Sequence, residues 1–366
     1  MTIDHSQIQA GEMQLPCQEL DRTLPFFTDV LGFSIVSIFP ADAPRTVVLD
    51  GFGVRLRLHC GDEGAPGMLR LYCRDPAAIA AGESELIAPN GTRIKLLQAE
   101  APLSLPPLQP ALTITRLHGD DAWATGRAGM QYRDLIPDRQ GGRFIASHIR
   151  IPSGGPVPDY VHFHRVYFQL IYCYKGWVRV VYEDQGPPFV MQAGDCVLQP
   201  PQIRHRVLDS SDGLEVVELT CPAEHETLAD RDMQLPTSVV DAGRNFSGQR
   251  FVRHREDRAE WLVWRGDEFA CRDLGLGSGS GGIVSARVVR PAGGAASHTD
   301  EHDAELLFVF VLYGKVTLKC DDKPADNLAA GDACVIPAGM VYTLTRCSAD
   351  LQFLEVIVAA RAEASP

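Results

Sequence analysis

Three histidines in the middle of the chain have the residue type and the spacing of a metal site. His162 and His164 are separated by one residue, and His205 lies further along the chain. Residues i and i+2 of a strand face the same side, so both rings of the pair can reach one point. A third imidazole on another strand of a closed barrel can meet them there. Neutral imidazoles suit iron, nickel, copper and zinc better than magnesium or calcium, so the spacing predicts a divalent transition-metal site.

Short β-type runs separated by Gly, Pro and Asp turns must position these histidines, because the surrounding sequence contains little that resembles a long amphipathic helix. The predicted strands of the middle segment cover residues 144–151, 166–174, 177–182, 196–199 and 214–219. A second series in the same order covers residues 283–289, 306–312, 315–320, 333–336 and 351–358. The repeat predicts two similar barrels, over residues 106–235 and 236–366.

The first of these barrels resembles the cupin superfamily through two motifs. The matching residues are Gly155, His162, His164, Gln169 and Gly176 in one motif, and Gly194, Asp195, Pro200, His205 and Asp209 in the other. The resemblance implies a jelly-roll barrel with a metal inside it. Cupins that use a fourth ligand usually have glutamate where this chain has Gln169. The resemblance therefore implies a three-histidine centre, as in iron cupins that use O₂ to cleave diketones or hydroxylated aromatics, or to oxidise thiols.

Three polar residues near the motifs are candidates for a catalytic role. Gln169 could bind the metal weakly through its carbonyl oxygen, or hydrogen-bond a metal-bound water or O₂. The alternative is a polar core residue that bonds the backbone. Strand alternation places Tyr160 among the expected pocket walls. Arg206 could bind a substrate carboxylate through two hydrogen bonds, although an arginine is more often a solvated surface charge.

The second barrel keeps the turns of the motifs but changes the ligands. Asp300, His302 and Tyr342 take the positions of the three histidines. A non-standard site built from His298, Asp300 and His302 is an alternative, because these residues share one strand face. We expect the second barrel to serve packing and dimerisation, and the chemistry to belong to the first barrel.

The first segment, residues 1–105, predicts a separate α+β domain that ends in a proline-rich linker. Apolar residues fall at helical spacing between Leu15 and Phe33, and a strand follows over Ser34 to Phe39. Residues Ala88 to Leu96 predict a hairpin that turns at an Asn-Gly pair.

These features of the first segment resemble the glyoxalase and vicinal-oxygen-chelate family, whose repeating unit is a strand, a helix and three strands. Glu12 and Lys95 take two positions at which that family binds its metal. A lysine is not a normal ligand of a divalent cation, so we expect this domain to lack a metal.

Composition narrows the possible partners. The formal charge of −13, with acidic residues spread along the chain, argues against binding to nucleic acid or to an anionic membrane. No apolar run reaches the length of a membrane-spanning helix, and the N-terminus lacks a secretion signal pattern. The ten cysteines include no Cys-x-x-Cys pair, which favours a reducing compartment. We expect a cytoplasmic protein that acts on small molecules.

We therefore predict a mainly β protein with two cupin jelly-roll barrels and an N-terminal α+β domain, assembled as a homodimer. The predicted function is an Fe(II)-dependent dioxygenase that acts on a small chelating aromatic or diketone metabolite with O₂. Zinc, nickel and manganese are alternative metals. Two other functions stay open: a non-catalytic metal-binding or metabolite-binding protein, and a zinc- or manganese-dependent isomerase of sugars or small acids.

Overall fold

The computed structural model describes residues 5–61, 64–80, 82–99, 102–117, 123–293, 296–321 and 323–361. The chain divides into two compact units, and the division falls between Pro102 and Leu103. Within the described ranges, no helix has the length and apolarity needed to span a bilayer.

The first unit contains two small sheets. Its elements are β1 (Met13–Cys17), α1 (Leu20–Pro25), β2 (Ser34–Phe39), β3 (Thr46–Gly51), β4 (Val54–Cys60), β5 (Met68–Cys73), α2 (Pro76–Ile79), β6 (Glu85–Ile87) and β7 (Arg93–Gln98). One sheet has the order β1-β4-β3-β2, and β1 lies parallel to β4. The other has the order β5-β7-β6, and β5 lies parallel to β7.

The predicted order of strand, helix and three strands is present in the first unit, but the helix begins later than the apolar spacing suggested. Leu15 and Cys17 are buried alternate residues of β1, so this part of the apolar run is a strand. Helical structure begins at Leu20 and continues as a turn of π-helix over Phe26–Val30. The prediction was wrong at this end because two periodicities follow each other within one short apolar segment.

The predicted hairpin near the end of the first unit is confirmed. Strands β6 and β7 pair antiparallel, and Gly91 has a φ of 86°, which a residue with a side chain rarely adopts. Glu12 forms an ion pair with Arg57, and Lys95 lies on β7 opposite Glu85. The Glu12 carboxylate is therefore bound by a guanidinium.

The second unit begins with the strands of the first barrel and one strand that precedes them. These are β8 (Thr113–Thr115), β9 (Ala124–Thr125), β10 (Gln131–Asp134), β11 (Ile145–Ile151), β12 (Gly155–Pro156), β13 (His162–His164), β14 (Phe168–Lys175), β15 (Trp177–Tyr182), β16 (Phe189–Gln192), β17 (Cys196–Gln199), β18 (His205–Ser210), β19 (Leu214–Cys221), β20 (Thr227–Ala229) and β21 (Val252–His254). A 3-10 turn over Arg127–Gly129 lies between β9 and β10.

The remaining elements belong to the second barrel. They are β22 (Leu262–Trp264), β23 (Phe269–Asp273), α3 (Leu276–Gly279), β24 (Val284–Pro291), β25 (His298–Asp300), β26 (Leu306–Tyr313), β27 (Lys315–Cys320), β28 (Asp326–Ala329), β29 (Ala333–Ile336), β30 (Tyr342–Thr345) and β31 (Gln352–Val358). A 3-10 turn at Glu256–Arg258 precedes them.

Each barrel consists of two sheets that face each other. In the first barrel the sheets have the orders β21-β17-β14-β19-β11-β10-β9 and β16-β15-β18-β13-β20. In the second they have the orders β22-β23-β24-β31-β26-β29-β8 and β25-β30-β27-β28. Strand β8 thus precedes the first barrel in sequence but completes a sheet of the second, and it pairs with β29. Strand β21 belongs to the segment that leads to the second barrel, and it pairs with β17 at the edge of the large sheet of the first barrel.

The two large sheets pack against each other and bury a shared core. Alternate residues of β14, among them Phe168 and Tyr172, belong to this core together with Phe308 and Phe310 of β26. The residues between them on β14, such as Cys173, face the interior of the first barrel. Strand β14 is therefore apolar on both faces, which explains why its sequence shows no alternation of apolar and polar residues.

Candidate metal centre

The three predicted histidines come together inside the first barrel. Strand β13 pairs with β18 so that His162 lies directly opposite His205. One nitrogen from each of His162, His164 and His205 lies within 4.8 Å of the others. Among the described residues, this is the only group of three or more His, Cys, Asp or Glu side chains that could hold a metal ion.

Backbone hydrogen bonds orient two of these rings. Nδ1 of His162 lies 2.8 Å from the carbonyl oxygen of Tyr160, and Nδ1 of His205 lies 3.0 Å from that of Ile203. A proton on Nδ1 leaves the lone pair on Nε2, which is the usual arrangement of a histidine that binds a metal. The donor set and its orientation therefore fit a divalent transition metal.

Electrostatics keeps the three rings neutral. Burial, together with the repulsion that protonated His162, protonated His225 and Arg127 would exert, lowers the pKa of His164 to about 3. Burial also lowers the pKa values of His162 and His205. Imidazoles bind metals in the neutral form, so the rings have the protonation state of ligands at neutral pH.

A cavity of about 410 Å³ lies beside the histidines within the barrel. Its walls are mainly aliphatic and include Ile145, Ile149, Ile171 and Val180. Besides the three histidines, its polar wall residues include Arg127, Ser147, Gln199, Glu218, His225 and Thr227. This composition suits a small, largely apolar ligand that carries few polar groups.

Gln169 lies behind the cavity wall, in a side-chain hydrogen-bond network. The hydroxyl of Tyr182 donates to Oε1 of Gln199 at 2.6 Å, and Nε2 of Gln199 donates to Oε1 of Gln169 at 2.8 Å. The amide nitrogen of Gln169 is thus directed to Glu218, whose carboxylate accepts a hydrogen bond from it. The partners of Gln169 are side chains rather than the backbone, and its oxygen already accepts a hydrogen bond.

The structure places the other two predicted catalytic residues away from the cavity walls. Tyr160 is 42% exposed, and its ring lies 5.9 Å from that of His162 at the rim of the site. Arg206 follows His205 on β18 and so points to the opposite face of the strand. The described residues that line the cavity include neither of them.

Arg127 faces the histidines from the 3-10 turn, and the sequence analysis did not identify it. Its Nη2 lies 3.1 Å from Nε2 of His162, and a metal bound by that nitrogen would replace this hydrogen bond. Its guanidinium also forms an ion pair with the buried carboxylate of Asp159. Asp159 in turn accepts a hydrogen bond from the backbone of Val207 at 3.0 Å. A turn that contains one arginine has no sequence pattern that reveals this position.

Glu218 is the second functional candidate that the sequence analysis missed. Burial raises its pKa from 4.5 to about 7, although the hydrogen bond from Gln169 and the charge of Arg127 act in the opposite direction. Val216 and Glu218 are alternate residues of β19, and both line the cavity. Alternation along a predicted barrel strand was therefore a usable signal for an inward-facing carboxylate.

The second barrel has an ion-pair cluster at the corresponding place. Arg265 donates to Oε2 of the buried Glu355 at 2.7 Å and to the hydroxyl of Tyr342 at 2.8 Å. Arg287 lies 3.5 Å from the other carboxylate oxygen of Glu355. His302 has Nε2 2.9 Å from the carbonyl oxygen of Ile336.

The alternative metal site in the second barrel is contradicted by this arrangement. His298, Asp300 and His302 do not form a ligand group, as judged over the part of the chain that is described. Strand β25 ends at Asp300, so His302 no longer shares a strand face with the other two residues.

No protein-family model matches the chain, and no curated protein matches it. Among solved structures, the chain is similar to a protein of Pseudomonas aeruginosa that is provisionally described as glyoxylate-induced. The identity is 12%, the TM-score is 0.51, and the match covers 73% of this chain and 96% of that one. A single-residue variant of oxalate decarboxylase from Bacillus subtilis has 15% identity and a TM-score of 0.50, with 82% of this chain and 87% of that chain covered. Identities this low show the fold alone: the chain is mainly β, with two jelly-roll barrels of the cupin type.

Proposed function

We propose that the first barrel is a metal-dependent dioxygenase that acts on a small chelating aromatic or diketone metabolite. The proposal rests on the convergence of His162, His164 and His205, all neutral, at a largely aliphatic cavity. Fe(II) is the metal we propose, because bound iron supplies the electron exchange between an organic substrate and O₂ that the protein's own side chains lack.

The cavity walls bind the body of the substrate and exclude water. Aliphatic side chains such as Ile145 and Ile171 offer dispersion contacts to a flat or branched apolar molecule. A dry cavity also strengthens the electrostatic interactions of the few polar groups inside it.

Arg127 orients an anionic group of the substrate. Its guanidinium is the one positively charged side chain among the described residues that line the cavity, and Asp159 fixes its position. A guanidinium can donate two parallel hydrogen bonds to a carboxylate or to adjacent oxygens.

The cavity supports the dioxygenase over the isomerase. A sugar carries a hydroxyl on most of its carbons, and burying those groups against aliphatic walls would leave them without hydrogen-bond partners. The near-neutral pKa of Glu218 supports catalysis over binding alone, because a group poised near the working pH can transfer protons.

For the first unit we propose a glyoxalase-like domain without a metal of its own. Its support is the element order β1-α1-β2-β3-β4 and the pairing of Glu12 with Arg57. A homodimer and a cytoplasmic location stay predictions.

The function is tested on full-length protein loaded with Fe(II) under anaerobic conditions. We expect one iron per chain, and O₂ uptake when a member of a panel of diketones and hydroxylated aromatics is added. Chelation should abolish the uptake, and zinc-loaded protein is the control for metal identity. Stoichiometric iron without O₂ uptake across the panel would contradict the dioxygenase.

A further inference from the structure

We propose that Glu218 is a catalytic residue that accepts a proton from a hydroxyl group of the substrate, which assigns the substrate to molecules with an acidic hydroxyl, such as a phenol or the enol of a diketone. The inference rests on the proposed function, since it names the substrate class of the same cavity. In this step the O–H bond of the substrate breaks and its electron pair stays on the oxygen. A new O–H bond forms on the Glu218 carboxylate.

The position of Glu218 gives it access to a ligand in the cavity. It lies on β19, between β14 and β11 of the large sheet, with Ile171 opposite on one side and Ser147 on the other. Both of these neighbours also line the cavity. Glu218 is the one acidic residue among the described residues of the cavity wall, so a ligand beside the histidines meets a single carboxylate.

The hydrogen-bond network behind the wall ends on Glu218 as an acceptor. Each step is directional: Tyr182 donates to Gln199, Gln199 donates to Gln169, and Gln169 donates to Glu218. Burial raises the pKa of Tyr182, so its phenol remains a donor. This direction holds the carboxylate in place and presents an acceptor to the cavity. Gln169 is thereby a positioning residue for Glu218.

The groups that surround Glu218 leave both of its protonation states accessible. Burial favours the neutral form and raises the pKa to about 7, whereas the hydrogen bond from Gln169 and the charge of Arg127, which faces Glu218 from the 3-10 turn, favour the charged form. The titratable neighbours on β10 and β15 are Tyr132 and Tyr182, whose pKa values burial raises, so both are neutral at pH 7. A group balanced in this way can take up a proton and later return it.

The test uses full-length zinc-loaded protein, because zinc binds the same ligands without redox chemistry, and catechol as the probe. At a pH of about 8, the Glu218 carboxylate is ionised and free catechol is neutral. We expect wild-type protein to bind catechol as an anion, seen in its ultraviolet difference spectrum, with no net proton release in calorimetry with two buffers. In E218Q the bound catechol should either stay neutral or release one proton per site to the buffer.

The matched control is E215Q, the same substitution on the same strand but on the face opposite the cavity, where Lys175 binds the carboxylate at 3.0 Å. It should match the wild type in proton balance, and both variants should retain one zinc per chain. With iron and a hydroxylated substrate, E218Q should lower kcat/KM by roughly 10²–10⁴-fold and remove the pH dependence near pH 7.

The outcomes separate this inference from the dioxygenase proposal. A wild-type protein that does not bind catechol as an anion, or an E218Q variant with the wild-type spectrum and proton balance, overturns the role of Glu218. If E218Q changes the proton balance but the iron form takes up no O₂, Glu218 is supported as a proton acceptor and the dioxygenase is rejected. O₂ uptake by E218Q with an unchanged pH profile retains the dioxygenase and rejects this inference.

Discussion

Nε2 of Gln199 lies 2.8 Å from Oε1 of Gln169, and this hydrogen bond turns the amide nitrogen of Gln169 toward Glu218. The motif resemblance in the sequence predicts a carboxylate-type ligand position at residue 169, where this chain has glutamine. The contact gives a local reason for the amide, because it accepts from one neighbour while it donates to the next. A carboxylate could not donate to Glu218 while it remained ionised.

Gln169→Glu should move the titration of Glu218 to higher pH. Two adjacent carboxylates repel each other when both are ionised, so one pKa rises by about one unit or more. The pH profile of kcat/KM should shift to alkaline pH by a similar amount, with one metal retained per chain. A tighter metal site with an unshifted profile would mean that residue 169 reaches the metal instead.

Glu218→Gln should stabilise the protein above neutral pH. The pKa of Glu218 is 4.5 in an ordinary environment and about 7 in the fold, so the folded state holds its proton over this interval while the unfolded chain releases it. The stability of the wild type therefore falls as pH rises from 4.5 to about 7, and above pH 7 the whole of this destabilisation is present. We expect a gain of roughly 2–3 kcal/mol for the variant at pH 8 and no such gain at pH 4, measured by urea unfolding.

Glu215→Gln should change the stability in the opposite direction in the same urea unfolding experiment. Burial raises the pKa of Glu215, but hydrogen bonds from His148 and Lys175 outweigh burial and lower the pKa overall. Its stabilisation is present above the ordinary pKa and is lost as pH falls through the lowered value. The variant should therefore be less stable than the wild type at neutral pH. Equal behaviour of the two glutamine variants would contradict the environments described for both carboxylates.

His205→Ala should abolish stoichiometric metal binding, whereas His302→Ala should leave it intact. With His205 removed, only two of the three histidine ligands remain, and two ligands bind a metal ion too weakly to hold one per chain. His302 contacts the backbone of Ile336 and takes part in no ligand group of the described residues. Metal content by elemental analysis checks both variants. Loss of metal in the His302 variant would restore a role for the second barrel.

Arg127→Met should weaken the binding of an anionic probe and spare a neutral one. Benzoate and benzamide differ in charge but little in shape, so their comparison isolates the guanidinium. We expect a roughly 10–100-fold loss of benzoate affinity, as for a hydrogen bond to a charged group, and little change for benzamide. Arg127→Lys should recover only part of the affinity because an ammonium lacks the planar fork. Equal losses for both probes would indicate altered packing instead.

Glu355→Ala should destabilise the second barrel without changing the metal content. Glu355 is 1% exposed and pairs with both Arg265 and Arg287. Its removal takes away the carboxylate that the two guanidinium groups share and leaves Arg265 only the more distant Asp300, at 3.7 Å. The expected loss is roughly 3–5 kcal/mol in unfolding free energy. The control is Glu226→Ala, since Glu226 is exposed and its ion pair should contribute under about 1 kcal/mol. A small effect of the Glu355 substitution would show that solvent reaches the cluster.

Strand alternation and the repeated strand order were sufficient to predict the barrels and the histidine pair. Both are local properties: neighbouring side chains of a strand alternate in direction whatever the rest of the fold does. The fold class is confirmed, and β14 and β26 lie within a residue or two of their predicted bounds. The helix of the first unit was misplaced at its start because Leu15 and Cys17 belong to β1.

The sequence by itself determined which segments become strands and which residues have the chemistry of ligands. The tertiary structure decided which side chains meet: His205 opposite His162, and Arg127 and Glu218 at the same cavity from separate elements. It also decided that Gln169 bonds Gln199 rather than standing free. These features depend on contacts between distant parts of the chain. Burial, which raises the pKa of Glu218 and lowers those of the histidines, exists only once the barrel has closed.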